Sequence, residues 1–278
     1  HEISLHAWVN PYRLLTANQI KRVPEKYAIG KWYKESEGDY VVRVGDRYYC
    51  NPAYPEVQQL VIDGAIEICS KYNVDGLHID DYFYPDGADN GFDSLAYATL
   101  GAGKPLKQFR FDSVNTLVKG LYDAVHAVNK DLLFGISPAG NIDANRGYLC
   151  ADVDTWCSTP GYIDYIAPQA YWSFSHKLDY AKYNICTEKW ARLITCDSVK
   201  LIMGMGLYRT VGATQSSTDP DWFLYKDNIK RMVEHTYAYE KADGFIMFDY
   251  ESLYDIMTGE YISANEEERN NFLPLLKG

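Results

Sequence analysis

Asp75-Gly76-Leu77-His78-Ile79-Asp80-Asp81-Tyr82-Phe83-Tyr84-Pro85 is the stretch from which the rest of the chain can be organised. An apolar strand pattern ends there in two adjacent carboxylates and a cluster of aromatic rings. In a barrel of parallel strands, the loops that follow the strands' C-terminal ends line the active site. Asp80 and Asp81 therefore stand where chemistry is normally done.

Working outward, Pro55-Glu56 opens a helix in which Val57, Leu60, Val61, Ala65, Ile68 and Tyr72 recur at helical spacing, ending just before the strand 74–80. The same helix-to-strand order then repeats. Helix 112–129 precedes strand 132–137, residues 149–159 precede strand 163–168, helix 179–196 precedes strand 200–207, and helix 221–242 precedes strand 244–249. A last helix is expected over about 265–276. Upstream, residues 3–9 read as a buried strand halted by Asn10-Pro11, and a hairpin is expected near 40–50 about the turn Gly45-Asp46. The segment 81–111, rich in Gly, Asp and aromatics, reads as a long loop over the strand ends that shapes the substrate site.

Strands separated by helices require a parallel sheet with right-handed crossovers. Six strands are countable: 3–9, 74–80, 132–137, 163–168, 200–207 and 244–249. An open doubly wound sheet is the alternative, but no Gly-rich phosphate loop follows the first strand and several strand ends carry polar groups. The expectation is an α/β chain of the (β/α)8 barrel type, residues 1–278 forming one catalytic domain. The chain begins at His1 and reads as strand by residue 3, so the two strands it lacks are expected before it.

A length of 278 residues with 47% hydrophobic content suits one large α/β domain. The net charge of -11 argues against partners that need a Lys/Arg surplus, nucleic acid and anionic membranes among them. No stretch approaches the roughly 20 apolar residues of a membrane span, and no signal peptide is visible. Six cysteines (Cys50, Cys69, Cys150, Cys157, Cys186, Cys196) show no CxxC pair and no His at zinc-like spacing, so neither a metal nor another cofactor is expected. Bridges such as Cys150 with Cys157 or Cys186 with Cys196 stay open. The 25 tyrosines suit either sugar stacking or ordinary packing.

Reading only the strand ends collects His6, Asn10 and Arg13; His78, Asp80 and Asp81; Ser137 and Asn141; Gln169, Tyr171 and Trp172; Tyr208 and Arg209; Asp249 and Glu251. Glycoside hydrolysis needs one carboxyl as acid and another as nucleophile or base, about 5–5.5 Å apart for retention or about 6.5–9.5 Å for inversion. Asp80 and Asp81 are consecutive on an extended chain and point to opposite faces, so they are poor candidates for the opposed pair. Asp80, in phase with His78, is the best catalytic candidate; Asp81 and His78 are candidates for acid/base or orienting work. A partner carboxylate is sought in Asp249, Glu251, Glu35, Glu37 or beyond this chain. Arg13 either pairs with Asp80 or binds a substrate carboxylate or acetamide. Tyr171 and Trp172 read as a stacking platform or as packing, with Gln169 bonding ring hydroxyls or an N-acetyl group. Esterase, zinc protease and nucleotide hydrolase motifs are lacking.

Five blocks, in order, resemble a known family: His6-Ala7-Trp8-Val9-Asn10-Pro11-Tyr12-Arg13; Asn51-Pro52 with Pro55-Glu56-Val57; Asp75 through Pro85; Gly135-Ile136-Ser137-Pro138; and Asp164-Tyr165-Ile166-Ala167-Pro168-Gln169. Together they are similar to the glycosyl hydrolase-like 10 family. The resemblance implies a (β/α)8 barrel whose third to eighth strands are present here, on a bacterial protein that is secreted or associated with the cell envelope. It also implies a glycosidase, in the characterised branch one that cuts peptidoglycan glycan strands. A more distant likeness to the family 18 chitinases, whose strand motif is Asp-Gly-x-Asp-x-Asp-x-Glu, places Tyr82 where that family has Glu and leaves Asp80 as the shared position. The expected function is hydrolysis of an N-acetylhexosamine polysaccharide, with Asn10, Arg13, Tyr82, Asn141, Gln169, Tyr171, Trp172, Tyr208, Asp249 and Glu251 binding substrate. A non-catalytic carbohydrate-binding barrel and a transglycosylase are the alternatives.

Overall fold

The computed structural model describes residues 3–35 and 39–276, which fall into two units: 1–136 with 143–164, and 137–142 with 165–278. Along the first unit the chain forms β1 (His6–Val9), β2 (Arg13–Thr16), α1 (Ala28–Glu35), β3 (Val41–Val44), β4 (Arg47–Cys50), α2 (Pro55–Lys71), β5 (Gly76–Ile79), α3 (Ser94–Leu100), α4 (Leu106–Val128) and β6 (Leu133–Ile136). The short helices α5 (Ile142–Arg146) and α6 (Val153–Ser158) follow. Strands β1, β5 and β6 run parallel, with Trp8 opposite His78 and His78 opposite Gly135. A separate antiparallel sheet has the order β2-β4-β3.

Alternation along β5 sorts its side chains onto two faces. Leu77 and Ile79 are buried together with Phe134 and Ile136 of β6, on the side where α2 and α4 pack against each other and against these strands. Each such side chain contributes about 1.5–3 kcal/mol by leaving water. The opposite face carries His6, Trp8, His78 and, just past the end of β5, Asp80. Gly76 is required by close approach: a Cβ there would lie 2.5 Å from the Leu133 carbonyl and 2.8 Å from the His6 ring.

Helix α2 occupies the predicted span, but its buried stripe is Val57, Gln58, Ala65 and Cys69, and Leu60 and Tyr72 face solvent. Gln58 sets this rotation, since its buried Nε2 donates to the carbonyls of Pro52 (2.9 Å) and Ser113 (3.2 Å). Helix α4 starts six residues earlier than the expected 112. Pro105 precedes its first turn, where a missing N–H is harmless, and Asp112 ties back to Lys104 and Gln108. The segment 81–111 therefore contains α3 and the start of α4.

In the second unit, β7 (Tyr165–Ile166), α7 (Tyr183–Leu193), β8 (Lys200–Gly206), α8 (Asp221–Leu224), α9 (Asn228–Ala238), β9 (Gly244–Phe248) and α10 (Glu266–Phe272) follow in order. Strands β7, β8 and β9 are parallel. The helix expected over 221–242 is broken at Tyr225-Lys226-Asp227 into α8 and α9. Asn228 causes the break by donating from Nδ2 to the carbonyls of Asp221 (3.0 Å) and Tyr225 (3.1 Å). Glu268 of α10 accepts from the Ile229 N–H at 2.5 Å, so α9 begins on a side chain from another helix.

Asp75, Asp164 and Asp243 each stand one residue ahead of a strand and share one device. Their carboxylates accept the backbone N–H of Leu5 (2.7 Å), Phe134 (2.7 Å) and Leu201 (2.9 Å) respectively. Their own N–H groups return bonds to the carbonyls of the same three residues. Asp164 additionally meets His126 at 3.3 Å. Asp164→Ala is expected to lower stability by about 1.5–3 kcal/mol, the range for a bond to a charged acceptor. A lower urea midpoint with an unchanged m value is the signature to look for, and an unchanged midpoint would refute it.

All six cysteines are free. Burial pushes the Cys50 and Cys186 thiols up to about 12 and Cys150 to about 11, which keeps them protonated and unreactive at neutral pH. Among the described residues no helix is long and apolar enough to cross a membrane, and no group of three or more His, Cys, Asp or Glu could hold a metal ion.

Candidate active site

The chemistry-bearing residues of the first unit gather where β1 and β5 end. Register places His6 beside Gly76 and Trp8 beside His78, and the same phase carries on to Asn10 and Asp80. Asp80 is 3% exposed. Its Oδ2 accepts two side-chain bonds, from the Trp8 indole Nε1–H at 3.2 Å and from Asn10 Nδ2 at 3.3 Å. Its Oδ1 accepts the Tyr82 backbone N–H at a longer 3.4 Å. Oδ1 is thus the oxygen left to carry a proton.

Burial, and then the neighbouring charge of Asp81, push the Asp80 carboxyl up to about 7, against the pull of the Tyr82 N–H and the Trp8 indole. A carboxyl in that range exchanges a proton at neutral pH, as general acid–base catalysis requires. His78 is pushed the other way, down to about 4, by burial and by His6. His6 is itself lowered by burial, against the attraction of Asp75. His78 is therefore neutral at pH 7, and its ring lies in the same row as Asp80 without adding charge. Asp81 is half-buried.

Asn10 holds two parts of the site at once. Its Oδ1 accepts the Arg13 backbone N–H at 3.1 Å while its Nδ2 serves Asp80. The Arg13 guanidinium lies 4.3 Å above the Tyr82 ring. The expected alternative of an Arg13–Asp80 pair is not what forms: Asp80 takes Trp8, Asn10 and the Tyr82 N–H instead. Trp8 escaped the sequence reading, which stopped at the polar residues. Its spacing two residues ahead of Asn10, on the face of His6, was the available signal.

The second unit holds the other candidates in a cluster of its own. Gln169 joins Ala139 and Gly204 by single bridges and donates from Nε2 to the Ser137 carbonyl at 2.9 Å, which fixes the start of the stretch that contains Tyr171 and Trp172. Tyr171 stacks on Phe248 (5.7 Å, 12°) and meets Tyr208 edge-on (5.8 Å, 85°). Half-buried Trp172 packs edge-on to Tyr180. A Cβ on Gly140, one residue before half-buried Asn141, would come within 2.7 Å of the Trp172 ring.

Two of the carboxylates considered as partners to Asp80, Asp249 and Glu35, have local partners. Asp249 accepts from both the backbone N–H (3.1 Å) and the hydroxyl (2.5 Å) of Ser252, capping a single turn. Glu251 is exposed. Glu35 lies on the solvent side of α1, 3.9 Å from Lys31. Glu37 lies outside the described residues.

Asp80 is thus a buried, proton-exchanging carboxyl at the end of a parallel strand, with an indole and an amide holding one oxygen. The family model for glycosyl hydrolase-like 10 matches residues 2–224, and the chain belongs to that family. Among curated relatives, glycosyl hydrolase YngK of Bacillus subtilis is 32% identical over 79% of this chain and 45% of its own length. Glycosyl hydrolase DigH of Escherichia coli O6:H1 is 27% identical over 94% of this chain and 63% of its own length. The chain thus spans about half to under two thirds of those relatives. Among solved structures, the PgaB (BpsB) glycoside hydrolase domain from Bordetella bronchiseptica aligns with a TM-score of 0.51 at 12% identity, over 90% of this chain and 71% of that one. A beta-galactosidase from Bacillus circulans sp. alkalophilus gives 0.51 at 12% identity, over 79% of this chain and 38% of that one. At such identities the likeness is one of fold, mixed α/β with parallel strands.

Proposed function

We propose that the protein is a glycosidase of the (β/α)8 barrel type that hydrolyses an N-acetylhexosamine polysaccharide, the glycan of bacterial peptidoglycan being the substrate, at a location outside the cytoplasm. The observation that carries this reading is Asp80: a strand-end carboxyl raised to about 7 by burial and by Asp81, whose Oδ1 takes only the long bond from the Tyr82 N–H and can hold a proton. Asp80 delivers that proton to the glycosidic oxygen as the bond from that oxygen to the anomeric carbon breaks; water adds to the anomeric carbon, and the proton it releases restores the Asp80 carboxyl. Trp8 and Asn10 hold its other oxygen, and Asp81 raises its proton affinity through space. Asn10, Arg13 and Tyr82 bind substrate beside Asp80; Asn141, Gln169, Tyr171, Trp172, Tyr208, Asp249 and Glu251 are the candidate substrate-binding residues of the second unit. Family membership supports the reaction class, and the sequence blocks quoted above support the substrate.

The test is incubation of the full-length protein with peptide-free peptidoglycan glycan and with chitin oligomers, products being followed by mass spectrometry. Shorter fragments with new reducing ends are expected. Retention of glycan without products would indicate a binding barrel, and longer products a transglycosylase. The pH profile follows from the same carboxyl. A proton donor with a pKa near 7 works below that pH, so kcat/KM is expected to fall about tenfold per pH unit above about 7. A profile flat from pH 6 to 9 would exclude Asp80 as the donor.

A further inference from the structure

After β9 the chain of the second unit turns out into a short hairpin, residues 253–262, which lies beyond residue 224, where the family match ends. The hairpin is well fixed. Ile262 donates its N–H to the Leu253 carbonyl (2.9 Å), Asp255 donates to the Glu260 carbonyl (2.9 Å), and the Asp255 carboxylate accepts from the N–H groups of Met257 (2.8 Å) and Thr258 (3.1 Å). At its base, buried Asn265 donates to the Ser252 carbonyl at 2.7 Å. Three tyrosines form a column on this frame. Tyr254 stacks on Tyr250 (5.1 Å between ring centres, 24°) and on Tyr261 (4.4 Å, 27°). The Arg269 guanidinium donates to the Ile262 carbonyl at 2.9 Å and closes the far end, 4.3 Å from the centre of the Tyr261 ring. The Tyr250 end is open: its side chain is 63% exposed, and among the described residues no second ring or cation covers it.

Packing accounts for Tyr254 and Tyr261, whose faces are covered, but it leaves the Tyr250 face in water. A rigid, exposed tyrosine ring offers a large amphipathic contact at little cost in side-chain entropy. Its surroundings select the ligand. Residues 250–262 include Glu251, Asp255 and Glu260 and no basic residue, so an anion is repelled. A cation is best held in a cage of several ring faces, whereas here the rings are turned on one another and a single face is left. An apolar face rimmed by carboxylates, which accept hydrogen bonds from hydroxyl groups, suits an uncharged pyranose. Tyr250 also stands two residues beyond Phe248, the ring on which Tyr171 stacks, so the column continues the aromatic cluster at the ends of β8 and β9. We infer that Tyr250, backed by Tyr254 and Tyr261, is a second carbohydrate site, which anchors the polymer by an uncharged sugar unit and takes no part in the chemistry. This inference rests on the glycosidase reading for the polymer it names, and binding alone tests it.

The experiment measures sedimentation of the full-length Asp80→Asn protein with insoluble chitin and with peptide-free peptidoglycan glycan. Adding Tyr250→Ala should raise the apparent Kd about threefold to tenfold, as for loss of one aromatic stacking contact. Tyr250→Phe and Tyr250→Trp, which keep a ring face, should bind within about twofold of the parent. Matching melting curves for the four proteins tie any loss to the ring. A Kd unmoved by Tyr250→Ala, or no binding of either polymer by Asp80→Asn, would overturn the inference. So would tighter, Tyr250-dependent binding of the deacetylated, cationic form of chitin, which would make the column a cation site. A second arm uses the protein with Asp80 intact. Tyr250→Ala should raise KM on the polymer by the same factor with kcat unchanged, and on a trisaccharide both constants should stay at the parent values. A fall in kcat on the trisaccharide would place Tyr250 in the cleavage site and refute a separate anchor. Should no cleavage be found, the glycosidase reading fails while the sedimentation arm still decides this one.

Discussion

Asp80→Asn is expected to lower glycan turnover about a hundred- to ten-thousand-fold while making the folded protein more stable in alkaline solution. The first effect follows from removing the proton donor, since an amide offers no transferable proton in this range. The second follows from linkage. Asp80 is raised from 3.8 to about 7 by burial and by Asp81, so the folded state holds its proton more tightly than the unfolded chain. Below about pH 4 the carboxyl is protonated in both states and carries no penalty. Between about 4 and 7 the unfolded chain loses the proton first, and stability declines as pH rises. Above 7 the full cost of a buried charge beside Asp81 is present. About three units at roughly 1.4 kcal/mol each give a ceiling of about 4 kcal/mol. Asparagine keeps the shape and can still offer an oxygen to Trp8 and Asn10, so the variant should gain most at pH 9 and nothing at pH 4. Urea denaturation at the two pH values checks the stability half, and the product assay checks the other. Native-like turnover, or equal stability at pH 9, would remove Asp80 from the role given to it.

The strand that ends at Asp80 was legible because its determinants are local, whereas the expected buried strand 3–9 is only His6–Val9, with Leu5 and Trp8 exposed, and the expected 163–168 is only Tyr165–Ile166. Leu77 and Ile79 alternate with His78 and Asp80, so the phase that places Asp80 with His78 could be read from the letters and is the phase the structure has. Helix rotation was less legible. The spacing of Val57, Leu60, Val61 and Ala65 fits a stripe centred on Leu60 as well as one centred on Gln58, and a polar side chain that bonds a carbonyl 55 residues away decides between them. The break between α8 and α9 has the same origin, with Asn228 holding one helix end and Glu268, 39 residues beyond Ile229, supplying the other's first acceptor. At the site, residue types were visible and partners were not. Arg13 and Asp80 are natural partners by charge, yet Asn10 stands between them and bonds both. Trp8 was hidden by its chemistry: an aromatic residue in a strand reads as packing until its N–H is found on a carboxylate.

Arg110→Ala should be the most destabilising single change in the segment that leads out of the site. Arg110 and Asp93 are 7% and 1% exposed, and the guanidinium donates from Nε (2.9 Å) and Nη2 (2.6 Å) to the carboxylate and from Nη2 to the Asp89 carbonyl at 2.7 Å. It also lies 4.9 Å from the centre of the Tyr84 ring. These contacts draw residues 84, 89 and 93 onto the first turns of α4 and add to the packing of the buried Phe83, Tyr84 and Phe92. Removing the arginine leaves the Asp93 charge buried and unpaired, a loss of about 3–5 kcal/mol. For a chain of this size that corresponds to a melting point lower by on the order of 10 °C. The sign should reverse for the pair. Arg110→Met with Asp93→Leu removes both charges and refills the volume, and buried pairs replaced in this way are often neutral or better. The double variant is therefore expected to melt well above Arg110→Ala, and limited proteolysis should cut the single variant, not the double, between residues 86 and 104. If the double variant melted no higher than the single one, the uncompensated charge would not be the cause. The segment's order would then rest on the bonds to Asp89 and the contact with Tyr84, which both variants lose.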